Sequence, residues 1–149
     1  MGYGTDGLTF NVLRAANIVR LSEFKNKHGE LAHNKADGSD WTPAQWLQAV
    51  IGELGEYANL RKKFERGDIS FAEFAALAAD ELADVQTYLD LLALRCLDHQ
   101  NFVDPHGIDL GQATMDKWNE VSERVGSLVR ISADDWHYVG QDTLHIVEE

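Results

Sequence analysis

The stretch GELGEYANLRKKF (Gly52–Phe64) decides how the chain is read. Its composition is that of a helix, and an α-helix advances about 100° per residue. With Glu53 at zero, Trp46, Tyr57, Leu60 and Phe64 fall within about 40° of it, and Val50 and Glu56 within about 60°. Glu53 therefore stands in the middle of an apolar stripe. A buried carboxylate is costly unless it is paired or meets a cation, so something positive is expected on this face.

Working outward, the second helix opens at WTPAQW. Thr42 is a good N-cap, Pro43 suits the first helical position and Gln45 completes a capping box. This helix is expected over residues 43–66, with Gly67 as its stop. Ser70 and Glu73 repeat the capping signature and open a third helix over 70–97. That helix repeats the anomaly. With Glu81 at zero, Phe74, Tyr88 and Leu92 lie within about 20°, Leu77 and Val85 near 40°, and Asp84 near 60°. Two such stripes face to face bring Glu53, Glu56, Glu81 and Asp84 together. Four anions in one place raise one another's pKa unless a cation neutralises them. All-oxygen donors favour a hard ion, Mg²⁺ or Mn²⁺.

Two further helices are expected, over 8–27 and 109–125, with a polar loop after the first (KHGELAHNKADGSD) and a tail, 127–149, that carries too few cues for an assignment. No alternating strand pattern or internal repeat is visible. The fold class predicted is all-α, a four-helix bundle in a single domain spanning 1–149. At 149 residues, 44% of them hydrophobic, the chain can build one real core. A formal charge of −12 disfavours polymeric nucleic acid, although cations can bridge a small phosphorylated ligand to carboxylates. The single cysteine, Cys96, permits no intrachain disulfide and is expected to be an inert core residue. The opening MGYGTDGLTF has neither a signal-peptide pattern nor the hydroxyl residue of a myristoylation motif at Asp6, so a cytoplasmic location is expected.

Glu-x-x-Glu (Glu53, Glu56), a 24-residue spacer (57–80) and Glu-x-x-Asp (Glu81, Asp84) resemble the metal motif of the all-α nucleoside triphosphate pyrophosphohydrolases, the MazG-like proteins. The neighbouring stretches WLQAVIGELGEYANLRKKF, AADELADVQTYLDLL and MDKWNEVSER agree, and the resemblance covers about residues 8–130. It implies Mg²⁺- or Mn²⁺-dependent cleavage of a triphosphate to the monophosphate, with release of pyrophosphate or of two phosphates. Glu53, Glu56, Glu81 and Asp84 would hold the metals, and Glu53 or Glu56 would take the proton of the attacking water. Lys117, Asn119 and Arg124 look like phosphate contacts, and Tyr88 like the aromatic lining the nucleotide pocket. Asn17 stands where relatives place a base-contacting residue; it reads equally as a polar residue packed between helices. The long loop after the first helix resembles the phage-encoded branch of the family. Part of that branch, MazZ, acts on dGTP, so dGTP or GTP is the expected substrate; dUTP, dCTP or broad specificity is the alternative. Relatives form dimers or tetramers with pockets shared between chains, which implies a homo-oligomer covering Phe71, Leu82, Leu89, Trp118 and Val121.

Other readings compete. A di-iron carboxylate protein would use Glu-x-x-His pairs on its helices; here the one such pair, Glu30 and His33, falls in the polar loop. A non-catalytic scaffold is the other rival. Trp41 and Trp46 are expected in packing, Arg61, Lys62 and Lys63 at a solvated helix end, and Asp134 and Asp135 at the surface.

Overall fold

The computed structural model describes residues 7–140. The chain is mostly helical, as the sequence predicts: α1 (Phe10–Leu21), α2 (Pro43–Glu65), α3 (Phe71–Arg95) and α4 (Leu110–Arg124), followed by a small antiparallel pair, β1 (Val129–Ile131) and β2 (Trp136–Tyr138). No helix among the described residues is long and apolar enough to cross a membrane. Residues 1–6 and 141–149, which include most of the N-terminal segment and the end of the tail considered above, lie outside the description.

The local chemistry sets the boundaries. Thr42 and Ser70 both close reciprocal capping boxes, with Gln45 and Glu73 respectively. After α2, Gly67 adopts φ +78°, and the amides of Gly67 and Asp68 bond back to Phe64 and Lys63 (2.9 Å each). Asp109 caps α4 by accepting from the Gln112 amide at 2.9 Å. The first helix is shorter than predicted, ending at Leu21 rather than near Lys27. Beyond Leu21 the backbone turns back on itself: Lys25 and Leu31 form an antiparallel bridge, the Ala32 amide donates to Phe24 O (2.9 Å) and the Asn26 amide to Glu30 O (2.8 Å), while the Asn26 side-chain oxygen accepts from the amides of His28 (2.8 Å) and Glu30 (3.2 Å). Such local bonds compete with helix propagation. The short strands are a second departure, since the sequence shows no strand signal there. Three residues per strand are too few to display an alternation.

Two compact units divide the chain, residues 1–108 and 109–149. In the first, α2 and α3 pair along their length and α1 lies against α3. Its buried core falls into two clusters. Trp46, Leu91 and Leu94 form one, joined by Leu21, Trp41, Tyr88 and Leu92; Leu60, Phe74 and Ala78 form the other, joined by Tyr57, Phe64 and Ile69;. The start of α2 thus meets the end of α3, and the end of α2 meets the start of α3. Glu53 falls between the two clusters on α2, and Glu81 and Asp84 fall between them on α3. The return segment after α3 closes onto it through Ile108 N to Ala93 O (2.9 Å). Gly107 (φ +61°) allows that approach, since a Cβ there would lie 2.5 Å from Ala93 O and from Leu94 Cα. In the second unit, Asn119 of α4 holds β1: its amide nitrogen donates to Ile131 O (2.8 Å) and its oxygen accepts from Ile131 N (2.9 Å).

Candidate metal centre

The apolar seam between α2 and α3 is interrupted at its middle by acids. Glu53 and Glu81 are half-buried there and Asp84 is exposed, and one carboxylate oxygen of each lies within 4.8 Å of the others. Glu56, one turn beyond Glu53, is exposed and stands outside this trio. Its charge still reaches both half-buried carboxyls. Among the described residues no lysine or arginine forms an ion pair with any of the four.

The electrostatics follow from that crowding. Burial pushes the Glu53 carboxyl above the ordinary glutamate value, and the charges of Asp84, Glu56 and Glu81 push it further. Glu81 is raised by burial and then by Glu56 and Asp84, while its hydrogen bond with Glu53 pulls the other way. Both shifts make these carboxyls easier to protonate than free ones, and a cation would compete with protons for the same oxygens. The donor set is all oxygen and opens to solvent at Asp84, which fits a hard divalent ion that keeps exchangeable positions.

One turn after Asp84, Tyr88 links this seam to an aromatic group. Its hydroxyl lies 3.4 Å from His33 Nε2 and is shifted up by burial, then by the charges of Glu53 and Asp84. His33 is the hub, stacked on Phe24 (centroids 4.9 Å, 12° between planes) and meeting Trp41 and Trp46 at 4.9 and 5.0 Å. Burial lowers its pKa, with Arg20 adding to the effect. The sequence offered little sign of this role, because His33 sits in a polar loop. Trp46 and Trp41 pack here, and Cys96 caps α3 with its thiol donating to Ala93 O.

Other candidates are placed differently. Asn17 is buried, at 3% exposure, and its amide nitrogen donates to Asp90 Oδ2 at 3.0 Å, while its oxygen faces Arg20 at 3.5 Å. Asp90, 1% exposed, is also held by Arg14 Nε at 2.9 Å. Asn17 is thus engaged in a packed polar network, and the expectation of a base contact there gives way to the reading between helices. Asp90 was missed, although an acid flanked by leucines in YLDLLAL is a signal of a buried pair. In the second unit, the Asn119 amide is used at both ends by Ile131, so its expected phosphate contact is not carried forward. Lys117 is paired with both oxygens of Glu120 (2.9 and 2.8 Å), and Arg124 is exposed in the last turn of α4. The Glu30-x-x-His33 pair lies off the helices, with Glu30 held by Asn26 at 3.1 Å. Arg61 pairs with Glu65 at 2.7 Å, and Lys62 and Lys63 are exposed.

Neither family models, nor curated proteins, nor solved structures give a match to this chain.

Proposed function

We propose that this chain hydrolyses a nucleoside triphosphate to the monophosphate and pyrophosphate with the aid of Mg²⁺ or Mn²⁺. The observation that carries this reading is the convergence of Glu53, Glu81 and Asp84 within 4.8 Å on facing helices, with no arginine or lysine among the described residues paired to them. The spacing of the two carboxylate pairs, which resembles the MazG-like motif, supplies the choice of reaction.

In this reading Glu53, Glu81 and Asp84 hold the cation. A hard divalent ion supplies, when bound, positive charge to offset the triphosphate and acidity to a coordinated water. Glu56, exposed beside them, accepts the proton of the attacking water. As the water oxygen bonds to phosphorus, the bridging P–O bond breaks and its electron pair leaves with pyrophosphate. Tyr88 marks the side of the seam toward which the rest of the nucleotide extends.

The test is a panel of all ribo- and deoxyribonucleoside triphosphates with Mg²⁺ or Mn²⁺, the products resolved by ion-exchange chromatography. Cleavage of at least one to its monophosphate is expected. Failure with every triphosphate and both ions overturns the proposal.

Assembly belongs to the same reading. Leu47, Ile51 and Leu54 form an exposed apolar stripe on α2, and Phe71 (70% exposed) and Leu82 are exposed on α3. In the second unit Trp118, Val121, Val125 and Val129 line an apolar groove of about 790 Å³. Exposed apolar surface of this extent marks an interaction site, and a second copy of the chain is the occupant proposed, giving a homo-oligomer, a tetramer or a dimer. Light scattering that returns the 16.7 kDa chain mass at micromolar concentration would overturn this.

A further inference from the structure

The chain sets 25 acidic residues against 13 lysines and arginines, so an arginine without a carboxylate stands out. Of the seven arginines, Arg14, Arg61, Arg66 and Arg95 form ion pairs, and Arg130 donates to the carbonyls of Ser127 and Val129. Among the described residues Arg20 and Arg124 do neither, and of these two Arg20 belongs to the unit that holds the carboxylate trio. Arg20 is exposed, and its one polar contact is marginal, Nη2 to Asn17 Oδ1 at 3.5 Å.

The side chain is nevertheless held. Its guanidinium lies over the Phe24 ring, 5.8 Å from the centroid, and Asn17 is itself fixed by Asp90 at 3.0 Å. A guanidinium held through its flat face keeps the N–H groups along its edge free to donate. The Nε and Nη1 donors of Arg20 meet no acceptor among the described residues. A positioned fork of donors with no acid of its own suits the paired oxygens of a phosphate or carboxylate from outside.

The position narrows the choice. Arg20 follows Asn17 by three residues, about 60° around α1 from the face that packs on α3, and so stands at the edge of that contact. From there Phe24 leads to His33 (centroids 4.9 Å) and His33 to the Tyr88 hydroxyl (3.4 Å), one turn of α3 beyond Asp84. Beyond the effect of burial, the charges of Glu53 and Asp84 push the Tyr88 hydroxyl up and that of Arg20 pulls it back. The acids and the guanidinium thus act on one tyrosine from different helices. A divalent ion on the acids offsets only part of the charge of a triphosphate, and the remainder has Arg20 as its counter-charge on the Tyr88 side.

We infer that Arg20 grips the phosphate that stays with the nucleoside, donating to two of its non-bridging oxygens, and so holds the attacked phosphorus against the metal and the monophosphate after pyrophosphate has left. The inference rests on the triphosphate reading given above, in which the nucleoside end extends toward Tyr88. It makes Arg20 the source of both substrate affinity and product retention.

The binding experiment needs no turnover. ¹⁵N-labelled protein with Mg²⁺ is titrated with the monophosphates of adenosine, guanosine, cytidine and uridine, and with the four nucleosides. The side-chain Nε–H resonance of Arg20, assigned by its loss in Arg20→Lys, is followed. At least one monophosphate is expected to move it saturably, and its nucleoside to leave it in place. In turnover, Arg20→Met should raise KM and the inhibition constant of the monophosphate product together, each about ten- to a hundredfold, with circular dichroism unchanged. Arg20→Lys keeps a charge in the last turn of α1 but loses the fork, so it should recover only part of either constant; if Arg20→Met does not fold, a severalfold rise of both constants in Arg20→Lys is the expectation. Full recovery by lysine would assign Arg20 to the helix end and overturn the grip. If Arg20→Met cleaves a triphosphate with unchanged KM and no monophosphate moves the resonance, the assignment fails and the hydrolysis reading stands. If a monophosphate moves the resonance while no triphosphate is cleaved, the hydrolysis reading fails and Arg20 remains a phosphate-binding residue.

Discussion

Helix α3 carries acids on two opposite faces, and the chain treats them in opposite ways. Asp90, nine residues after Glu81 and so about 180° around the helix, faces α1. There it meets Arg14 at 2.9 Å and Asn17 at 3.0 Å. Arg14 also donates to the carbonyls of His106 (3.0 Å) and Ile108 (2.9 Å), tying the return segment into the same network. Glu81 faces α2 and meets only further acids, Glu53 and Asp84, within 4.8 Å. A carboxylate with its counter-charge built in is a structural joint. A group of carboxylates with none among the described residues is a poor joint, a crowd of acids ready for a cation from outside.

That contrast can be broken most forcefully at Arg14. Arg14→Met leaves Asp90 buried without its cation, and the expected loss is about 3–5 kcal/mol of unfolding free energy in a denaturant titration. A loss below about 1 kcal/mol would remove the distinction between the two faces.

On the other face, Glu53→Gln and Asp84→Asn keep shape and lose charge. Each is expected to reduce triphosphate hydrolysis by about 10²–10³-fold or more, from several kcal/mol of lost charge stabilisation. Circular dichroism should be unchanged. Retention of wild-type rates in both variants would remove the carboxylates from the chemistry.

A smaller effect is expected at Asn17, where Ala leaves Asp90 Oδ2 without its donor. The stability loss should be about 1–3 kcal/mol, and the ranking of triphosphate substrates should not change. A changed ranking in steady-state kinetics would return Asn17 to the base.

The smallest effect is in the pH dependence of the metal-free protein. Glu53 and Glu81 hold their protons more tightly in the fold than in the unfolded chain. Their contribution to stability is therefore complete below the ordinary glutamate pKa and is lost as pH rises through the raised values. With saturating Mn²⁺ the sign reverses, because protons then compete with the ion, and stability falls as pH falls. Thermal melts across the weakly acidic range, with and without Mn²⁺, read both slopes.

How much of this the sequence discloses depends on how local the cause is. The capping boxes of Thr42–Gln45 and Ser70–Glu73 and the stop at Gly67 are each settled within a few residues, and those boundaries agree with the structure to within a residue or two. The meeting of Glu53, Glu81 and Asp84 is legible because period and spacing alone place them on facing stripes. The early end of α1 is less so: residues 24–26 pair with 30–32 in a tight hairpin, in competition with a helix whose pattern continues. The role of Asn17 is legible only as one of two equal readings, and that of His33 is not legible. They are decided by partners 73 and 55 residues away, Asp90 and Tyr88. Glu56 shows the limit of the spacing argument: it shares the motif with Glu53 but lies on the exposed edge of the stripe, outside the trio.

The most direct measurement is the unfolding free energy of wild type and Glu53→Gln, each with and without Mn²⁺. The wild type should gain stability with the ion, about 2.7 kcal/mol at one hundred times the dissociation constant. The variant should gain far less, and in the absence of metal it should be at least as stable as wild type, because one anion has left the cluster. A metal-free variant less stable than wild type, together with no stabilisation of wild type by Mn²⁺, would show that these carboxylates are structural joints like Asp90 and would contradict the account.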